Sequence, residues 1–161
     1  MKKTILCFTL ALVCISLTAC KGTAKIDDTY SVAELSARVK NTLGEGYIGD
    51  TSGYTEEYFP MPSYVLEHEI LYRPQSNVLD EFGIFRVEEG HAKELASLIK
   101  EDYLAAAYEK NRDFYNSYMP KETPKLQNAE VRTYGNYVVY AILSPADRAA
   151  LFGELQTISK E

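Results

Sequence analysis

A chain of 161 residues with a formal net charge of −6 has room for one domain and little electrostatic attraction for nucleic acid or anionic lipid. Its three cysteines, Cys7, Cys14 and Cys20, all fall within the first 20 residues. The remainder can therefore hold no disulfide, no thiolate metal cluster and no cysteine nucleophile.

Met1, Lys2 and Lys3 form a short basic start, and Thr4 to Leu17 then runs without a charge. That apolar run, about 14 residues, is short of the roughly 20 needed to span a bilayer. With small residues behind it, the pattern is that of a secretory leader covering residues 1–19. Leu17-Thr18-Ala19-Cys20 resembles the lipobox of bacterial lipoproteins, in which a diacylglyceryl group is attached to the cysteine and the leader is cut just before it. The resemblance implies a mature chain that starts at Cys20 and is held in the lipid bilayer through that acylated residue, on the extracytoplasmic face of the cell membrane. Loss of Lys2 and Lys3 leaves 15 basic against 23 acidic residues, so attachment falls to the acyl chains and not to surface charge.

Lys21 to Asp28 is polar and aperiodic, which makes residues 20–29 a tether and residues 30–161 a single domain. Ser31-Val32-Ala33-Glu34 is a capping box, and Val32, Leu35, Val39 and Leu43 then share one helical face before Gly44 stops the helix. Gly44 to Ser63, with four glycines and two prolines, is an irregular stretch long enough to suggest function or mobility.

Tyr64 to Tyr72 alternates imperfectly, with Tyr64, Leu66, His68, Ile70 and Tyr72 on one side, and reads as a strand. Asp80 to Val87 is a firmer strand, with Phe82, Ile84 and Arg86 on one face. From Gly90 to about Tyr118 runs the longest helix, whose apolar face holds Ala92, Leu95, Leu98, Ile99, Tyr103, Ala106 and Ala107. Its length of roughly 40 Å carries the last turns beyond the sheet. Glu130 to Leu143 is a hairpin turning at Gly135-Asn136, where positive φ is needed. Ser144-Pro145-Ala146-Asp147 starts a final helix that buries Leu151, Phe152, Leu155 and Ile158. Grouped strands with separate helices predict an α+β fold: an antiparallel sheet of about four strands packed by a short N-terminal helix, one long helix and a C-terminal helix.

The lipobox, the capped first helix, the strand DEFGIFRV, the long helix with Arg112 and Tyr115 to Tyr118, and VRTYGNYVVYAIL resemble one uncharacterised family. It comprises bacterial lipoproteins, of the Gram-positive, gut-anaerobe type, defined by a domain of unknown function. The likeness covers roughly residues 30–158 and is sharpest from Tyr134 to Leu143. It implies location and fold, and brings no catalytic residue with it.

Motifs for chemistry are sparse. His68 lies between Glu67 and Glu69, but on a strand the two carboxylates point away from the imidazole, so the trio makes no metal site. Asp50, Ser52, Tyr54 and Glu56 alternate as calcium ligands would, yet Thr55 and Met61 stand where such a loop needs glycine and glutamate. No nucleophile elbow or phosphate-binding glycine motif occurs, and an acidic chain supplies carboxylate pairs whatever its function. No catalytic residue, metal or cofactor is assigned.

Thirteen tyrosines in a chain without tryptophan are the more informative feature. Tyr47, Tyr54, Tyr58, Phe59 and Tyr64 crowd the long loop and are the candidate contacts for an envelope protein, peptide or glycan. The competing expectation is that these rings fold back as a lid over the core. Tyr134, Tyr137 and Tyr140 read as cross-strand pairs. The expectation that follows is a membrane-anchored, non-catalytic binding module at the cell envelope. The alternative is a hydrolytic or accessory cell-wall enzyme with carboxylates that the sequence does not single out.

Overall fold

Two strands of this protein are buried on both faces, and the rest of the architecture follows from them. In the computed structural model, which describes residues 24–49 and 59–161, Phe82, Ile84 and Phe85 and every residue from Tyr137 to Leu143 are buried. A sheet so covered needs helices on both sides. Fully burying one such side chain contributes about 1.5–3 kcal/mol, so these central strands dominate the stability.

The order of elements is α1 (Val32–Leu43), β1 (Ile48–Gly49), β2 (Val65–Tyr72), β3 (Glu81–Val87), α2 (Ala92–Leu98), a π-helical segment (Ile99–Ala105), α3 (Ala106–Tyr118), α4 (Thr123–Gln127), β4 (Glu130–Tyr134), β5 (Tyr137–Ile142) and α5 (Pro145–Ile158). The strands form one antiparallel sheet in the order β1-β2-β3-β5-β4. The α+β expectation holds. The fifth strand is β1, a two-residue element within the glycine-rich stretch, which pairs Ile48 with Tyr72 and Gly49 with Leu71.

One side of the sheet presents Phe82, Ile84, Tyr137, Val139 and Ala141 to α1 and α5, which contribute Leu35, Val39, Leu151, Phe152 and Leu155. The other side presents Phe85, Val87, Val138, Tyr140 and Ile142 to Ala92, Leu95, Ile99 and Leu104. Arg38 ties α1 to the chain end: its two terminal nitrogens each donate to Glu161 at 3.0 Å and its Nε to Glu154 at 3.0 Å.

The local signals act as the sequence predicts. The Ser31 hydroxyl accepts the Glu34 amide at 3.2 Å, and the Glu34 carboxylate accepts the Ser31 amide at 2.8 Å. Ser144 caps α5 by accepting the Asp147 amide. Tyr134 and Tyr137 are register partners across a two-residue turn in which Gly135 has φ 67°, the glycine-first arrangement of a type II′ hairpin.

Three expectations need correction. The stretch read as a tether, residues 20–29, is packed from Ala24 onward: Ile26 is fully buried among the α1/α5-side core, and Asp28 accepts from the Asn136 amide at 3.1 Å. One isoleucine in a polar run is too weak a pattern to reveal this. In β2 a bulge between Val65 and Glu67 breaks the expected alternation and leaves Leu66 51% exposed. In the long helix the π-helical segment shifts the phase, so that Leu104 is buried and Ala106 turns outward. The side chain of Ala107 lies outside what is described.

Candidate functional site

A cavity of about 360 Å³ opens where β2 ends, β3 begins and the long helix changes its winding. Its volume lies at the lower end of the roughly 300–1,000 Å³ typical of small-ligand sites. Tyr72 and Arg73 leave β2 on one side, Asp80 and Glu81 enter β3, and Ile142 closes β5 at the floor. The opposite wall is the π-helical segment with Asp102, Tyr103 and Leu104, continued by Lys110, Asn111 and Tyr115 of α3. A π-turn carries an extra residue, so it can aim side chains that a regular helix would rotate away, and such turns recur at functional sites.

Two tyrosine hydroxyls converge here on one carboxylate. Tyr103 donates to Glu81 at 2.6 Å and Tyr140 donates to the same oxygen at 2.7 Å. Their rings meet edge to face with centroids 5.5 Å apart. Burial, reinforced by the charge of Glu81, pushes the Tyr140 hydroxyl well above the usual tyrosine range. It therefore remains a hydrogen-bond donor and is no proton acceptor at neutral pH.

Beside this array lies an ion cluster. Lys125 reaches Asp80 at 2.5 Å and Glu122 at 2.7 Å, and Arg73 stands 3.6 Å from Asp80. The Asp80 side chain is only 8% exposed. Burial opposes the charge of Glu122, but its bonds from Lys125 and the Leu79 amide outweigh that and hold its carboxyl below the usual range. Burial likewise opposes the charge of Lys125, and the two carboxylates overcome it and raise its pKa. The cluster is thus an internally compensated network that fixes the cavity's edge.

The described members of the candidate tyrosine set do not gather into one surface. Tyr47 is buried on the α1/α5 side, its ring against Phe82 at 5.4 Å with the Arg73 guanidinium 4.7 Å from its centroid. Phe59 is buried on the opposite side, 5.9 Å from Tyr103, and Tyr64 stacks on His91 at 4.4 Å. Tyr54 and Tyr58, like the lipobox residues Leu17, Thr18, Ala19 and Cys20, lie outside the described residues. Of the hairpin tyrosines, Tyr134 and Tyr137 pair with each other, and Tyr140 lies opposite Val131 on β4 and Gly83 on β3. His68 stacks on Phe85, while Glu67 accepts the Val32 amide at 3.0 Å on the other face of the sheet. Among the described residues no three His, Cys, Asp or Glu side chains could hold a metal ion, and no helix is long and apolar enough to cross a membrane.

Sequence reasoning gives Asp80 and Tyr103 only structural places and passes over Glu81, Glu122 and Lys125. The usable signal is the slip in helical period: Leu95 and Ile99 are four apart, but the next buried position is Leu104, five further on.

The cavity, its strands and its π-helical wall all fall within one recognisable unit. A family model described as Domain of unknown function (DUF4358) matches residues 56–143. The chain belongs to this family. The DUF4358 match is narrower than the resemblance over roughly residues 30–158. It includes β2 to β5 and the whole cavity wall, and leaves out α1 and α5. No curated protein and no solved structure matches the chain.

Proposed function

We propose that this DUF4358 protein is a lipid-anchored, non-catalytic binding module on the extracytoplasmic face of the cell membrane, with the cavity at the π-helical segment as its binding site. The observation that carries the reading is the preformed concave site with hydrogen-bonding groups already fixed in place, which lowers the ordering cost of binding. The Tyr140 hydroxyl held as a donor and the compensated carboxylates around Lys125 favour recognition over proton transfer.

The position of the cavity fits an anchor at Cys20. Three residues separate Cys20 from Ala24, and the four steps between them reach at most about 14 Å. The packed segment after Ala24 lies at the hairpin turn: the Lys25 side chain covers Gly135, and Asp28 bonds Asn136. The cavity is at the other end of β5, beside Ile142, about 20 Å away along the strand. In this reading the turn faces the bilayer and the cavity faces outward.

The mature chain would carry no thiol besides the acylated one, so a single introduced cysteine reports location. Lys110→Cys at the cavity mouth should react with a membrane-impermeant maleimide on intact cells and stay in the membrane fraction. Adding Cys20→Ser should release the protein or leave it unprocessed. Labelling only after lysis, or unchanged fractionation of the Cys20→Ser variant, would contradict the reading.

A further inference from the structure

The cavity continues outward along α3. Asn111 and Tyr115 line it, and the same helical stripe reaches Tyr118, at positions i, i+4 and i+7. Phe114 stands beside that stripe, its ring 5.8 Å from Tyr115 and 5.2 Å from Tyr118. Phe114 is 53% exposed and Tyr118 77% exposed, so neither ring is used to hold the fold together. Two adjacent open aromatic rings beside a cavity offer flat faces on which a bound molecule can extend.

The chemistry inside narrows what can lie there. Asp80 is paired with Arg73 and Lys125, and Glu122 behind the rim with Lys125. A charged ligand would have to compete with these pairs. The other ionised groups of the lining, Glu81, Asp102 and Lys110, carry both signs and leave the cavity without a strong net charge. A fatty chain would desolvate the charged groups of the lining, Glu81, Asp102 and Lys110, without offering them a hydrogen bond, which is costly. An extended peptide commonly pairs with an open strand edge, but β3 at the cavity floor is already paired with β2 and β5. A hydroxyl-rich neutral ring can exchange hydrogen bonds with the tyrosine–carboxylate array and the Asn111 amide. It can also lay its C–H face on an aromatic ring while its hydroxyls stay in water.

Resting on the cavity as the binding site, we infer that the ligand is a neutral oligosaccharide. One sugar ring occupies the cavity against Tyr103 and Glu81, and the next lies on the ledge of Tyr115, Phe114 and Tyr118. The test is calorimetric titration of the full-length chain in a detergent without a sugar headgroup. The probes are neutral hexasaccharides of glucose, xylose, mannose and N-acetylglucosamine, with a zwitterionic hexapeptide and decanoate in parallel. The second protein carries Phe114→Ala and Tyr118→Ala, both at exposed positions, with an unchanged thermal melt as proof of folding. At least one hexasaccharide should saturate with a dissociation constant of about 1 mM or below, weakened about tenfold or more in the double variant. Binding of the hexapeptide or decanoate with no sugar bound overturns the ligand class and leaves the binding site standing. Equal sugar affinity in both proteins, or silence from all the sugars, overturns the inference.

Discussion

Gly83 lies directly under the ring of Tyr140. The two are register partners on β3 and β5, and a Cβ placed on Gly83 would stand 2.3 Å from a Tyr140 ring carbon and 2.9 Å from Phe85. Tyr140 is fully buried and bonded through its hydroxyl to Glu81, so the ring has nowhere to retreat. Gly83→Ala should therefore destabilise the protein by about 1–3 kcal/mol, as overpacking does in dense cores. Chemical denaturation measures it. A neutral or stabilising result would mean that the ring can shift.

The convergence on Glu81 predicts a graded pair of losses. Tyr140→Phe removes a fully buried bond to a carboxylate and should cost about 1.5–3 kcal/mol. Tyr103→Phe removes a bond from a half-buried ring and should cost less, about 0.5–1.5 kcal/mol. With Glu81→Gln as the third corner, double-mutant cycles should show coupling for both tyrosines. Strict additivity would contradict a shared acceptor.

Lys125 holds two carboxylates, so Lys125→Met should be among the costlier single changes, about 3 kcal/mol. The pH dependence has a definite sign. The folded pKa of Glu122 lies below 4.5, so its contribution is complete above that value and is lost as pH falls through the folded pKa. The folded pKa of Lys125 lies above 10.5, so its contribution is complete below that value and is lost as pH rises past it. Wild-type stability should thus fall on both flanks, and Lys125→Met should flatten both. Denaturation midpoints across pH 3 to 11 in steps of about one unit resolve it.

Ile26 is fully buried although it lies in a polar run, and Ile26→Ala should cost about 2–4 kcal/mol. A change near zero would restore the stretch after Cys20 to the status of a free tether. Proteolysis after Lys25 reports the same packing, since an anchored segment resists cleavage while a free one does not.

Most of the fold was legible because its signals are local. Ser31 with Glu34, Ser144 with Pro145, and Gly135 between alternating tyrosines each determine a cap or a turn within a few residues. The candidate site was not legible, because nothing local joins its parts. Glu81 meets Tyr103 and Tyr140 across 22 and 59 residues, and Asp80 meets Lys125 across 45. Their convergence depends on strand order and on the π-turn that rotates Tyr103 and Leu104 into place. The tyrosine-rich loop misled for the same reason: Tyr47 and Phe59 are 12 positions apart in the chain but end in the cores on opposite faces of the sheet.

The central claim is that the cavity between β3 and the π-helical wall takes a ligand. The most direct test is a titration of the full-length chain with the low-molecular-mass fraction of an envelope digest, followed at the backbone amides of Leu104, Asn111 and Ile142. Ala106, exposed on the cavity wall, allows Ala106→Trp to fill the space without touching the core. Saturable shifts at all three amides in the natural chain, absent from the filled variant, are the predicted result. No shift at these amides, or the same shifts in both proteins, would contradict it.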